Sequence, residues 1–193
     1  MTRKEILLFQ LKEIRNEFAD ALADLNQEQL ASKHIGDHNT IGWIACHCLN
    51  NFDFFIHSYL TGTSLMFEKF EDEKYPIFCN YASSPPNEDN PAPDFSGLND
   101  AVNHIFSNCI DLIEALDEDA LDKPAAYGDH EDLEFAAGKC VRVINHSNAH
   151  LRQIWMLRGA FGDKDHWPVQ TLVKDEQGKF FVPDRERILT DRC

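Results

Sequence analysis

Four stretches of the sequence place an apolar residue at every third or fourth position for about five turns each, and that periodicity commits most of the chain to amphipathic helices. In the first, Leu7, Leu11, Ile14, Phe18, Ala21, Leu22 and Leu25 alternate with charged positions and predict a helix over 3–25. In the second, Ile41, Ile44, Ala45, Cys48, Phe52, Phe55, Ile56 and Tyr59 predict a helix that Asn39 or Thr40 caps and that runs to about residue 60, ended by Thr61-Gly62-Thr63. Behind Ser96 as a cap, Leu98, Val102, Ile105, Phe106, Cys109, Leu112, Ile113 and Leu116 form a third stripe. After an acidic turn over 117–132, a fourth helix spans 133–161 and stops at Gly162.

The connections decide how such helices can be arranged. Residues 61–96 carry Pro76, Pro85, Pro86, Pro91 and Pro93 among acids and asparagines, show no helical period, and are expected to form one long loop. A helix of roughly 20 residues is about 30 Å long, and returning along it takes at least about 9 extended residues. The 61–96 segment can therefore carry helices two and three parallel, while the shorter links on either side make antiparallel neighbours. The expected fold is all-α: an up-down-down-up four-helix bundle over 1–162 with a long crossover between helices 2 and 3. In the tail, 163–193, Val169 to Val173 and Phe180-Phe181-Val182 flank Asp175-Glu176-Gln177-Gly178 and suggest a β-hairpin docked on the bundle.

At 193 residues, 43% of them hydrophobic, the chain suits one domain with a core of its own. Its 18 basic and 33 acidic side chains leave a net charge of −15, a field that repels phosphate backbones and anionic lipid, so no nucleic acid and no membrane partner is expected. Charges interrupt the N-terminal pattern within a few residues, which excludes a signal peptide or a spanning segment there and points to the cytoplasm. Cysteines 46, 48, 79, 109, 140 and 193 form no C-x-x-C pair and are expected as small buried residues rather than disulfides or ligands. Dinucleotide-binding, phosphate-loop and nucleophile-elbow motifs are absent.

Among the nine histidines, three fall where a side chain is expected to be buried. On the fourth helix Val143, His146, His150, Ile154, Leu157 and Phe161 share one face, and the two imidazoles stand one turn apart, a spacing from which both can reach one divalent ion. On the second helix Trp43, His47 and Phe54 align within about 40°, a histidine framed by aromatics on an inward face. If those helices are neighbours, His47, His146 and His150 make a three-histidine site with positions left for water or substrate, as in catalytic zinc centres. Against that stands a plain alternative, in which each imidazole makes a hydrogen bond in the core. A zinc-peptidase reading fails because Ser147 follows His146 where that motif needs Glu. His34 and His38 are expected in a solvated turn, His57 and His104 on the surface, and His130 and His166 in loops. Arg142, Asn50, Asn51 and Gln153 border the two histidine stripes as candidates to meet substrate, fix an imidazole tautomer or hold water.

The segment Val143-Ile144-Asn145-His146-Ser147-Asn148-Ala149-His150-Leu151-Arg152-Gln153-Ile154, with Leu157-Arg158 after it, resembles the fourth-helix motif of the DinB-like (DinB/YfiT) superfamily. Ile41-Gly42-Trp43-Ile44-Ala45-Cys46-His47 is similar to that family's second-helix motif. The resemblance implies a metal-binding four-helix bundle over most of 3–162, with His47, His146 and His150 as ligands, usually as a homodimer. It implies nickel or zinc first among the ions, then iron or manganese. It also brings in a family of thiol-dependent transferases and isomerases acting on small molecules. Three readings stay open on the sequence: a metal-dependent small-molecule enzyme of transferase or hydrolase type, with 61–96 closing over the pocket; a non-catalytic metal-binding or protein-interaction module; and a plain helical bundle with no metal.

Overall fold

Helix α1 (Arg3–Leu22) opens on a reciprocal cap: Thr2 Oγ1 accepts from Glu5 N at 3.2 Å and the Glu5 carboxylate accepts from Thr2 N at 2.7 Å. It stops three residues short of the expected end because Asp24 turns left-handed, at φ 59°. The carbonyls left over there are met by Arg158, 2% exposed, whose Nη1 donates to Asp20 O, Ala21 O and Ala23 O at 3.2, 3.0 and 2.9 Å. In this computed structural model residues 2–33, 39–68, 75–127, 130–162, 173–174 and 180–181 are described, and they are mostly helical. Among them no helix is long and apolar enough to cross a membrane.

After the short α2 (Gln27–Ala31), Thr40 caps α3 (Ile41–Phe52), accepting from Trp43 N at 3.1 Å. The helix continues as a π-helical turn, Asp53–Ser58, and a last turn, α4 (Tyr59–Thr61), before Gly62 ends it at φ 76°. A π-turn holds more residues than an α-turn, so positions beyond it are rotated relative to a regular helix. Phe54, expected inward with Trp43 and His47, is instead exposed. Asp53, at the start of that turn, is buried and accepts from Ser64 Oγ, Leu65 N and Met66 N at 2.5, 2.7 and 3.1 Å.

Those bonds start α5 (Leu65–Glu68), and with α6 (Tyr75–Ala82) they correct the expectation of a structureless 61–96 loop. Pro76 falls in the first turn of α6, where a missing N–H costs nothing. Leu65, Met66, Phe78, Cys79, Tyr81, Ala82 and Phe95 are all core residues, so this segment is built into the domain. Ser96 does not cap α7 (Leu98–Ala115): its N and Oγ bind the Asp94 carboxylate at 2.9 and 3.1 Å, and Gly97 takes the cap position.

Between α7 and α8 (Ala136–Ala160) the expected acidic turn holds a 3-10 turn, Glu118–Asp122, and two antiparallel strands, β1 (Pro124–Tyr127) and β2 (His130–Phe135). Residues 133–135, expected as the first helical turn, belong to β2, and α8 starts only at Ala136. Helix α1 packs chiefly on α7 and α8, and α3 on α6, α8 and α7. This corrects the expectation that chain neighbours are the packing partners; the link over 23–40 can span a bundle diagonal of roughly 14 Å. At the centre Phe18 and Phe52 close on Phe106, with ring centroids 5.6 and 4.4 Å away.

The described cysteines, 46, 48, 79, 109 and 140, are buried and free. His57 and His104, expected on the surface, are half-buried; His57 Nδ1 lies 2.9 Å from Thr63 O. In the tail, a compact unit of its own over 163–193, β3 (Val173–Lys174) pairs antiparallel with β4 (Phe180–Phe181), Val173 opposite Phe181. The rest of the expected hairpin lies outside the described residues, as do His34, His38 and His166.

Gly42 on α3 is required by packing, since a Cβ there would overlap the buried Phe95 ring. Gly42→Ala is expected to cost about 1–3 kcal/mol in urea unfolding with an unchanged m-value. Wild-type stability would show that the ring can move aside.

Candidate metal centre

Each of the three imidazoles reaches its position through a different constraint. His47 lies on the half of α3 that is still a regular helix, before the π-turn, with its ring stacked on Trp43 at 4.8 Å and 8° between planes. Trp43 is itself held from the far side, its Nε1 donating to Ser84 O at 2.7 Å, and Asn90 Nδ2 donates to the same carbonyl at 2.7 Å. The segment after α6 therefore locks the plane of the His47 ring. His146 and His150 stand one turn apart on α8, ring centroids 4.5 Å from each other and 5.2 and 5.0 Å from His47.

The hydrogen bonds assign the ring nitrogens. Asn51 Nδ2 donates to His47 O at 2.9 Å and lies 3.1 Å from His47 Nε2, so the amide presents N–H to both and that Nε2 is an acceptor. His146 Nε2 lies 3.0 Å from the same nitrogen. On the third ring Nδ1 donates to Gln153 Oε1 at 2.7 Å, which leaves the His150 Nε2 lone pair available.

Burial, with the neighbouring His150 and His146, lowers the pKa of His47 to about 4, and burial with His150 lowers that of His146. Both are thus neutral imidazoles at pH 7, the form that binds metals. One ligand atom from each of the three lies within 4.8 Å of the other two, and the group contains no carboxylate. Nitrogens bound tetrahedrally to zinc sit about 3.3 Å apart, so modest side-chain adjustment suffices for the trio to hold an ion. The Nε2 atoms of His47 and His146, 3.0 Å apart, face a point that a cation can occupy. All three were expected to be buried; instead His146 is exposed and His47 and His150 are half-buried, because the trio lies on the shared outer edge of two helices, and a small molecule has access.

A sequence profile of the DinB superfamily matches residues 10–154. The chain belongs to the DinB superfamily. No curated protein matches it. In this DinB-superfamily chain the remaining candidates separate by position. Asn51 and Gln153 touch histidines, whereas Asn50 Oδ1 accepts from Cys79 Sγ at 3.5 Å and so ties α3 to α6. Arg142 is exposed on α8, one turn before His146. Cys46 and Cys48 are core residues outside the histidine group, and burial pushes the Cys48 thiol up to about 12. The Ser84 carbonyl behind Trp43 escapes sequence reasoning, because a backbone acceptor carries no side-chain signal.

For this DinB-superfamily chain a pH dependence follows. Above about pH 6.5 His47 is neutral folded and unfolded and contributes no slope. As pH falls from 6.5 towards 4 the unfolded chain takes up a proton that the folded one refuses, so stability is lost across that window and levels off below it. With a chelator present, His47→Gln should lose less melting temperature than wild type between pH 7 and pH 4.5. Parallel profiles would contradict the lowered pKa.

Proposed function

We propose that this DinB-superfamily protein holds a divalent metal ion on His47, His146 and His150 and acts on a small-molecule substrate as a transferase or hydrolase, with a thiol among its reactants. The observation that carries the reading is the convergence of three imidazoles, two of them with lowered pKa, in a group that holds no carboxylate among the described residues. A divalent ion bound by neutral ligands keeps its full charge and supplies Lewis acidity to a substrate atom. Nickel or zinc is the first choice of ion, with iron or manganese behind them; imidazole suits all four. On the family resemblance, the working form is a cytoplasmic homodimer.

The chain's own residues prepare the site. Gln153 keeps the proton on His150 Nδ1, so Nε2 would be free to hold an ion without a tautomer change. Trp43, pinned by Ser84 O, excludes water from one face of His47 and fixes its plane. Arg142 places a positive charge one turn from His146, where it receives a substrate carboxylate.

The same reading takes the four long helices as an up-down-down-up bundle, and contacts at their ends support it. Lys4, at the start of α1, donates to Glu114 O and Leu116 O at the end of α7, at 2.7 and 2.6 Å. Arg158, near the end of α8, meets the end of α1. Lys139, early in α8, lies over the Tyr59 ring of α4 at 4.6 Å, while His146 and His150 farther along meet His47, earlier in α3.

Elemental analysis of untagged protein should find about one equivalent of one metal in wild type, and none in His47→Ala or His150→Ala. A screen of the loaded protein with small electrophiles and low-molecular-weight thiols should show turnover that His150→Ala abolishes. Wild type that takes up none of nickel, zinc, iron or manganese would overturn the site; metal without turnover would leave a binding module.

A further inference from the structure

We propose that Asn51 is the hydrogen-bond donor to a small monoanion at the metal's open position, so that the site is selective for anions; this rests on the three-histidine reading above. The amide has two N–H bonds in fixed directions. One is spent on His47 O, one turn back on the same helix, at 2.9 Å, and this anchors the group whatever happens at the imidazoles. The other is aimed at His47 Nε2, 3.1 Å away. That nitrogen has a single lone pair, and a cation that takes it deprives the second N–H of its acceptor. Held by the first bond, the N–H remains beside the ion and must find another partner, because a half-buried donor left unmatched is costly.

The partner it favours is anionic. Donors to charged acceptors form the stronger hydrogen bonds, and three neutral ligands leave a divalent ion with charge to be neutralised. No carboxylate belongs to the histidine group, so nothing in that group competes with an incoming anion. The chain's net charge of −15 opposes anions at a distance. That field is screened beyond about 8 Å at physiological salt, whereas the amide and the ion act within a few ångström. On this account Asn51 is a specificity-determining residue, and the class of ligand is a small monoanion, thiolate or inorganic.

The test uses full-length protein loaded with cobalt(II), titrated with azide at constant ionic strength and read by visible absorption, with no dependence on turnover. Wild type should bind about one cobalt and change its spectrum with azide. Asn51→Ala should keep the cobalt and bind azide roughly ten- to a hundredfold more weakly, the range for a hydrogen bond to a charged group. Asn51→Asp should keep cobalt and lose azide altogether, through like-charge repulsion. Equal azide affinity in wild type and both variants would overturn the proposal while leaving the three-histidine seat intact. So would loss of cobalt from folded Asn51→Ala, which would make Asn51 a support for His47 alone. Failure of wild type to bind cobalt, with the same result in His47→Ala, would instead overturn the metal reading itself.

Discussion

The contact between α3 and α8 is the constraint on which the rest of the site depends. His47 belongs to one helix and His146 and His150 to the other, so nothing local brings the three together. What does is the packing of α3 on α8, where the fully buried Cys48 and Ser147 meet. Small residues let two helices approach closely, and close approach is what leaves imidazoles on their shared edge 3.0 Å apart between Nε2 atoms.

That packing is stabilised from outside itself. Phe106 of α7 packs on both Phe18 and Phe52, so α1 and α3 are registered through a third helix. Arg158 closes the end of α1 from the end of α8. The segment after α3 adds a second frame: Asp53 starts α5, Tyr81 on α6 meets Thr40 at 3.0 Å, and Ser84 holds Trp43. Each of these ties the chain back to α3, the helix that carries His47. Rigidity there matters chemically, since an ion's affinity falls when its ligands must be reordered.

The parts of this arrangement that were legible in the sequence are those written in local periodicity. The His146–His150 pair shows in a one-turn spacing on an apolar face, and His47 in its alignment with Trp43. The stripes of α1, α3, α7 and α8 show for the same reason. What stayed hidden depends on interactions distant in sequence or on backbone. The π-turn over Asp53–Ser58 does not show in the stripe, and Phe54 within it is exposed. Helix α5 is only four residues and is started by a carboxylate 12 positions away from Leu65, and the prolines around α6 mask an apolar face that is real. Leu133 and Phe135 fit a strand's alternation as well as a helix's first turn, so the boundary at Ala136 was ambiguous.

On the proposed reading three imidazoles, and no thiolate or carboxylate, are the protein's part of a metal centre. X-ray absorption at the zinc edge of zinc-loaded protein tests this most directly. The expected result is a nitrogen shell at about 2.0–2.1 Å, with the outer-shell scattering of about three imidazole rings. A sulfur shell near 2.3 Å, or light atoms without imidazole scattering, would contradict it.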